Sequence, residues 1–210
     1  MSALFDSAKF KMSVSDLAGL PSDGLPQIAF AGRSNAGKST TINVLTRQTR
    51  LAFSSKTPGR TQLLNFFAIS EKLDVGQYQQ VAYLVDLPGY GFAKAAPSIR
   101  ATWENLVGGY VAQSPLLEGI VLVMDARRPF MPADELVLDF IAHRTDLKLL
   151  FLLNKADQLK TMERRRVLKL VQDRCQSYEG RATCQLFSGL KREGVDELQQ
   201  NLASWLGKTL

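Results

Sequence analysis

Residues 32–39 of this 210-residue chain read GRSNAGKS and match the pattern G-x-x-x-x-G-K-[ST]. The apolar run Gln27–Ala31 precedes them, and Thr40–Gln48 has helical composition. A glycine-rich turn between a strand and a helix surrounds a β-phosphate with backbone N–H groups, and the helix N-terminus adds partial positive charge. In such a loop Lys38 would reach the β- and γ-phosphates, and the Ser39 hydroxyl would ligate Mg2+. The predicted phosphate contacts are Gly32, Arg33, Ser34, Asn35, Ala36, Gly37, Lys38 and Ser39.

Strand and helix patterns alternate along the rest of the chain. The β-rich runs Gln62–Ile69 and Gln79–Asp86 are too close together to hold a crossover helix, so we expect an antiparallel hairpin. Further strands are predicted at Glu118–Asp125, Leu147–Leu153 and Ala182–Phe187, and helices from Ser98, from Pro132, at Thr161–Gln176 and from Val195. This alternation predicts an α/β fold in three layers, with helices on both faces of a mostly parallel six-stranded sheet that has one antiparallel edge strand. The length suits a single domain, which we assign to residues 26–207 after an N-terminal extension of residues 1–25.

Composition argues against a membrane protein and against a metal site built from cysteines. The longest apolar runs, Gly119–Met124 and Leu147–Leu153, are far shorter than the roughly 18 residues of a membrane span, and the N-terminus lacks a signal-peptide pattern. Cys175 and Cys184 have neither the spacing of a metal site nor that of a redox pair. We therefore predict a cytoplasmic protein with reduced thiols, without a membrane partner, and monomeric. A net charge of +6 would assist binding to a polyanion, although many proteins with no such role carry that charge.

The sequence Asp86-Leu87-Pro88-Gly89 ends a predicted strand. A carboxylate there can hold Mg2+ through water, and the N–H of Gly89 can meet the γ-phosphate. The next residue is Tyr90, where a glutamine would orient the attacking water, so we expect slow hydrolysis until a partner or an ion completes the site. Arg60 is a candidate for an internal arginine finger, and a solvated loop arginine is the alternative interpretation.

The sequence Asn154-Lys155-Ala156-Asp157 follows another predicted strand and is typical of a guanine site. Asp157 can accept hydrogen bonds from both N1–H and the exocyclic amine, a pair of donors that guanine presents and adenine does not. Asn154 can bond the N7 side of the base, and Lys155 can lie along the base plane. Downstream, Phe187-Ser188-Gly189 is placed to offer backbone N–H groups to guanine O6. Together with the phosphate loop, these residues predict that the ligands are GTP and GDP.

A polar loop, Ser54–Thr61, lies before the predicted hairpin, and its proline and glycine argue against regular structure. Thr57 and Thr61 both offer hydroxyls to a Mg2+-bound γ-phosphate. We prefer Thr61, because closing it on the metal would couple the γ-phosphate to the whole loop. The predicted nucleotide contacts here are Gly59, Arg60, Thr61, Gln62 and Leu63, and the predicted catalytic groups of the whole site are Lys38, Thr61 and Gly89.

Five stretches of the chain, AFAGRSNAGKST, SKTPGRTQLLNFF, VDLPGYGFA, LLNKADQL and FSGLKREGVDEL, resemble the EngB group of bacterial GTPases within the TrmE-Era-EngA-EngB-Septin-like superfamily. The resemblance spans Gln27–Trp205. It implies a GTPase that acts in assembly of the large ribosomal subunit and in cell division and septation, with rRNA as a partner. It also implies that Ser39 and Thr61 ligate Mg2+. Two departures are that Gly189 stands where the family usually has serine, and that the Ser70–Gln79 connection is longer than usual.

Asn35 matches an asparagine that helps to hold a monovalent cation in related potassium-stimulated GTPases. Such an ion would supply positive charge where an arginine finger otherwise acts, so K+ is a hypothetical second cofactor.

Two groups of basic residues are candidates for contact with RNA. The first lies near the polar loop and comprises Arg47, Arg50, Lys56 and Arg60. The second lies on a predicted helix and comprises Arg164, Arg165, Arg166, Lys169 and Arg174, where an ordinary solvent-facing helix is the alternative. Two alternatives to ribosome assembly also stay open: a GTP-dependent switch that binds a protein partner, and a nucleotide-holding interaction protein without useful turnover.

Overall fold

The computed structural model describes residues 4–53, 63–73, 76–91 and 101–209. One sheet of seven strands runs through these residues in the order β1-β3-β4-β2-β5-β6-β7. The strands are β1 (Lys9–Val14), β2 (Gln27–Gly32), β3 (Leu64–Lys72), β4 (Tyr78–Asp86), β5 (Leu117–Asp125), β6 (Lys148–Asn154) and β7 (Ala182–Leu186). The helices are α1 (Lys38–Leu45), α2 (Gly109–Gln113), α3 (Pro132–Ala142), α4 (Thr161–Cys175) and α5 (Val195–Trp205).

The central strands are continuous apolar runs because helices cover both faces of the sheet. Every residue of β2 is buried. Ile42 of α1 and Leu202 of α5 pack on one face of the sheet. Tyr110 of α2, Ile141 of α3 and Val171 of α4 pack on the other. The three layers and the mostly parallel sheet of the prediction are confirmed.

The sheet has seven strands rather than the predicted six, because residues 9–14 form an additional edge strand. β1 pairs antiparallel with β3, and β3 pairs antiparallel with β4, so the antiparallel strand β3 is internal and not at the edge. The sequence of β1 does alternate polar and apolar residues, but a bulge between Phe10 and Met12 interrupts its register. The assignment of residues 1–25 to an extension and 26–207 to a domain stays a prediction.

In the segment before β5, backbone packs closely against side chains of neighbouring elements. Residues 101–103 are α-helical, Glu104–Gly108 form a π-helical turn, and α2 follows. A Cβ on Gly108 would lie 3.1 Å from the ring of Phe140, and one on Gly109 would lie 2.8 Å from Leu17. The two glycines, which weaken the helix pattern in the sequence, therefore allow this segment to pack closely against its neighbours. Within the described ranges, no helix is long and apolar enough to cross a membrane.

Candidate nucleotide-binding site

The phosphate loop, residues 32–39, connects β2 to α1 as predicted, and two of its glycines are required by their surroundings. Gly37 has φ +98°, and a Cβ there would lie 2.1 Å from Nδ2 of Asn154. A Cβ on Gly32 would lie 2.9 Å from the carbonyl oxygen of Val123 on β5. A larger residue at position 32 would have to displace the backbone of β5, and one at position 37 would have to displace the side chain of Asn154.

Lys38 and Asp86 form a buried ion pair at the centre of the site. Their side chains are 10% and 6% exposed. Burial raises the pKa of Asp86, and the neighbouring ammonium of Lys38 opposes that shift. Both groups are predicted to serve the phosphates and Mg2+, so a nucleotide would have to exchange contacts with this pair.

The Asp86-Leu87-Pro88-Gly89 segment lies directly against the phosphate loop. A Cβ built on Gly89 would lie 3.4 Å from Oγ of Ser34. The next residue is anchored as well, because the N–H of Ser34 donates to the carbonyl oxygen of Tyr90 at 3.0 Å. Leu87 is buried in the core, so any contact that it makes with nucleotide would come from its backbone.

The side chain of Tyr90 points into the protein rather than towards the phosphates. Its hydroxyl donates to Asp134 at 2.9 Å, and the ring is 6% exposed. The same carboxylate accepts from the N–H of Met131 at 2.9 Å and lies 3.2 Å from Nε of Arg33. Burial raises the pKa of Tyr90 well above its usual value. A carboxylate at the start of α3 therefore links the phosphate loop to the segment after Gly89.

Asn154 holds three loops together at the base end of the site. Its Nδ2 donates to the carbonyl oxygen of Ala36 at 2.8 Å, and its Oδ1 accepts from the N–H of Gly189 at 3.2 Å. Asp157 accepts a hydrogen bond from the hydroxyl of Ser188. The four predicted motif regions that lie in the described residues are thus brought together at the carboxyl edge of the sheet.

Lys155 joins the phosphate loop to the end of β5. It adopts φ +64°, and its Nζ donates to the carbonyl oxygen of Asn35 at 2.7 Å and to Asp125 at 3.1 Å. Hydrogen bonds from Arg127 hold the pKa of Asp125 far below its usual value. A cavity of about 410 Å³ opens beside this cluster and is lined by residues 33–36, Asp125, Arg127, Arg128 and Lys155. Its lining carries more positive than negative side chains.

Some of the predicted nucleotide contacts lie outside the described residues or are buried. Thr57, Gly59, Arg60, Thr61 and Gln62 lie outside the described residues, and Leu63 directly precedes β3. The remaining two, Phe187 and Ala156, are fully buried and bond to each other through their backbones, with N···O 3.0 Å.

The glycine at position 189, where the EngB group usually has serine, has a local explanation. A Cβ there would lie 2.8 Å from Cγ2 of Thr40. Serine would therefore require Thr40 to move.

Sequence reasoning missed two residues of the site, Trp103 and Asp134. The indole N–H of Trp103 donates to the carbonyl oxygen of Pro88 at 2.9 Å. In the sequence, Asp134 and Glu135 carry the same signal, an acidic residue in the first turn of a helix. In the structure Asp134 is fully buried, whereas the side chain of Glu135 is 38% exposed.

The oxygen groups available here suit Mg2+ rather than a transition metal. Within the described ranges, no group of three or more histidine, cysteine or acidic side chains could hold a metal ion by itself. Mg2+ needs only one or two protein oxygens beside phosphates and water, and Ser39 and Asp86 offer a hydroxyl and a carboxylate. The donor set fits Mg2+ bound together with a nucleotide.

Comparison with known proteins agrees with this geometry. Residues 27–155 match the family model described as 50S ribosome-binding GTPase. The probable GTP-binding protein EngB of Neisseria meningitidis serogroup B is 45% identical over 205 residues, which cover 97% of this chain and 93% of that protein.

Solved structures show the same fold at lower sequence identity. A structure of a probable GTP-binding protein engB matches with a TM-score of 0.61 and 21% identity, over 86% of this chain and 98% of that one. Era from Aquifex aeolicus bound to GDP·AlF4− matches with a TM-score of 0.64 and 19% identity, over 89% of this chain and 58% of that one. The Neisseria meningitidis protein is far more similar to this chain than these solved structures are, and it aligns over 93% of its length. The chain therefore belongs to the EngB family of GTP-binding proteins and is a GTPase.

Proposed function

We propose that this GTPase is a nucleotide-dependent switch in assembly of the large ribosomal subunit. In its GTP form it would dock on a precursor particle in the cytoplasm, and hydrolysis to GDP and phosphate would release it. The observation that carries the proposal is the match of residues 27–155 to a family described as 50S ribosome-binding GTPase. Through ribosome assembly, the switch would also be needed for normal cell division and septation.

The phosphate end of the site would act through Lys38, Ser39, Asp86 and Gly89. Lys38 would exchange Asp86 for the β- and γ-phosphate oxygens, and the Gly89 N–H would donate to the γ-phosphate. Ser39 and Thr61 would hold Mg2+, with Asp86 contacting it through water. Bound Mg2+ would neutralise charge on the β- and γ-phosphates during transfer to water.

The base end would read guanine through Asp157 and Asn154. Asp157 would accept from N1–H and from the exocyclic amine while keeping its hydrogen bond with Ser188. Asn154 uses one amide hydrogen on Ala36, and its second amide hydrogen could reach N7. The alkyl stem of Lys155 would lie along the base.

We also propose that Asn35 helps to hold K+ beside the phosphates. Asn35 is exposed within the phosphate loop, with φ +67°. Hydrolysis should then run faster in potassium buffer than in sodium buffer of equal ionic strength. Equal rates would contradict the potassium site and leave the GTPase assignment intact.

The basic residues of α4 are less suited to RNA than the sequence suggested. Arg164 is paired with Glu193 at 2.7 Å, Arg174 with Glu135 at 2.8 Å, and Lys169 with Asp173 at 3.1 Å. These acidic partners offset much of the positive charge that would attract phosphates. In the group near the polar loop, Arg47 is likewise paired with Asp6 at 3.1 Å, and Lys56 and Arg60 lie outside the described residues. We favour this group because nucleotide could control RNA affinity there.

The test is co-sedimentation of the protein with purified large ribosomal subunits at moderate salt. We expect binding with a non-hydrolysable GTP analogue and little binding with GDP, and binding should weaken as salt is raised. The same assay with small subunits is the control. If neither nucleotide gives binding to large subunits, ribosome assembly is the wrong function, and a switch that binds a protein partner becomes the better hypothesis.

A further inference from the structure

Trp103 makes a hydrogen bond that none of the nucleotide-binding motifs explains. Its indole N–H donates to the carbonyl oxygen of Pro88 at 2.9 Å. The residue is 6% exposed, and its ring contacts Tyr90 edge-on at 5.6 Å and Phe140 at 6.1 Å between centroids. A buried indole N–H needs a hydrogen-bond acceptor. Here the acceptor is the carbonyl oxygen of Pro88, the residue that precedes Gly89.

The carbonyl of Pro88 and the N–H of Gly89 belong to the same peptide unit. The described residues contain no cis peptide bond, so this unit is planar with its C=O and N–H on opposite sides. Fixing the oxygen therefore fixes the direction of the N–H. The other end of the segment is also held, because the carbonyl oxygen of Tyr90 accepts from the N–H of Ser34 at 3.0 Å.

The N–H of Gly89 is available for a ligand. Among the described residues, no protein acceptor takes it. Gly89 itself lies against the phosphate loop, since a Cβ built on it would be 3.4 Å from Oγ of Ser34 and 3.7 Å from the carbonyl oxygen of Gly32. A donor without a protein partner, held beside a phosphate-binding loop by an anchored peptide, is suited to an oxygen of the γ-phosphate.

We propose that Trp103 is a positioning residue for γ-phosphate recognition, acting through the Pro88–Gly89 peptide. Its indole N–H fixes the carbonyl of Pro88 and thereby aims the Gly89 N–H at the γ-phosphate, although Trp103 itself does not touch the nucleotide. The inference rests on the proposed contact between Gly89 and the γ-phosphate. Because GDP lacks that phosphate, Trp103 contributes to affinity for GTP and not to affinity for GDP.

The bond also provides a spectroscopic signal in the unmodified protein. When the Gly89 N–H donates to a phosphate, the peptide is polarised and its carbonyl becomes a stronger acceptor. The indole hydrogen of Trp103 should then shift downfield in the GTP-analogue complex relative to the GDP complex. The chain has only two tryptophans, Trp103 and Trp205, so the two indole signals are easily assigned.

The affinity test compares Trp103→Phe with Trp205→Phe in the full chain. Phenylalanine keeps an aromatic ring but removes the indole N–H. Trp205 packs beside Gly119 at the start of β5, whereas the site lies at the opposite end of that strand, so it is the matched control. The readouts are the dissociation constants for GDP and for a non-hydrolysable GTP analogue, with thermal unfolding to check the fold.

We expect Trp103→Phe to weaken binding of the GTP analogue about three- to tenfold, the value of one hydrogen bond, and to leave GDP binding unchanged. Trp205→Phe should change neither constant. Equal weakening of both nucleotides would indicate only a structural role and would overturn the proposal. If Trp103→Phe proves too unstable to assay, an indole signal that is identical in the two complexes of the wild-type protein would overturn it independently.

The variant Gly89→Ala separates this inference from the proposed function on which it rests. Its methyl group would lie 3.4 Å from Oγ of Ser34, an ordinary van der Waals contact, so the fold should tolerate it. The added methyl would crowd the N–H that is proposed to meet the γ-phosphate, so it should lower affinity for the GTP analogue more than for GDP. If Gly89→Ala has that effect and Trp103→Phe does not, the role of Trp103 alone is wrong. If neither variant changes the ratio of the two affinities, the proposed contact of Gly89 is itself wrong.

Discussion

The base end and the phosphate end of this nucleotide site are built in different ways. At the base end, the side chains that would read guanine already bond to the protein. Asn154 bridges the phosphate loop and Gly189, and Asp157 accepts from Ser188. These contacts tie the groups to the phosphate loop and to the segment after β7, so little ordering should be required when the base binds.

At the phosphate end, the groups that we propose for the ligand bond to each other or have no protein partner among the described residues. Lys38 is paired with Asp86, and the N–H of Gly89 has no acceptor among the described residues. Thr61 lies outside the described residues. Binding of GTP must therefore exchange contacts here, whereas at the base end it adds them.

Because of this difference, we expect the two ends to contribute differently to the binding of GDP and GTP. A preorganised base end gives affinity and base specificity that are the same for GDP and GTP. A phosphate end that exchanges contacts can respond to the γ-phosphate, and only differential contacts of that kind can shift a conformational equilibrium. Variants at the two ends should consequently differ in how they change the ratio of GTP affinity to GDP affinity.

The largest effect is expected from Lys38→Met, which removes the ammonium group but keeps most of the buried stem. Loss of charged hydrogen bonds to the phosphates should weaken GTP binding about 100-fold. Asp86 would be left buried without its cation, so the free energy of unfolding should fall by about 3 kcal/mol. Isothermal titration and denaturant unfolding measure the two effects.

The double variant Lys38→Met with Asp86→Asn separates folding from binding in this experiment. With both charges removed, most of the stability should return while nucleotide affinity stays low. If the single variant is as stable as the wild type, the Lys38–Asp86 pair does not hold the phosphate end together.

The next largest effect is expected from Asp157→Asn at the base end. The carboxylate would no longer accept two hydrogen bonds from guanine, which should weaken binding about 30-fold. GDP and the GTP analogue should lose affinity equally, in contrast to the variants at Gly89 and Trp103. Xanthosine nucleotides should gain affinity, since xanthine has a carbonyl where guanine has its amine and asparagine can donate to it.

Asp173→Asn, an exposed change on α4, is the control for Asp157→Asn. It should leave the affinities for GDP, for the GTP analogue and for xanthosine nucleotides unchanged. If Asp157→Asn binds guanine nucleotides normally, another group reads the base.

Much of the fold and of the base end could be predicted because the information is local. The motifs lie directly after buried strands, and the carboxyl ends of parallel strands meet at one edge of a sheet. Asn154 and Asp157 could therefore be placed near the phosphate loop without knowledge of side-chain packing. β1 was missed because it is a mostly exposed edge strand of only six residues, so its alternation of polar and apolar residues is a weak signal in the sequence.

The supports of the phosphate end could not be predicted, since they depend on contacts between distant segments. Trp103 has the sequence signature of any buried helical residue, and its bond to Pro88 joins two segments that lie 15 residues apart in the chain. Asp134 and Glu135 carry the same local signal for the start of a helix. Which of them turns inward is decided by how α3 packs against Tyr90 and Arg33.

The smallest effect is expected from Ser188→Ala, which tests how much preorganisation contributes at the base end. The hydroxyl of Ser188 donates to Asp157 and accepts from the N–H of Lys191 at 3.0 Å, so its removal loosens the carboxylate without removing it. We expect GDP and the GTP analogue to lose affinity alike, by about fivefold, the value of roughly one hydrogen bond. Ser204→Ala, on the exposed side of α5, is the control and should have no effect. A loss confined to the GTP analogue would contradict the comparison, because it would mean that the base end also senses the γ-phosphate.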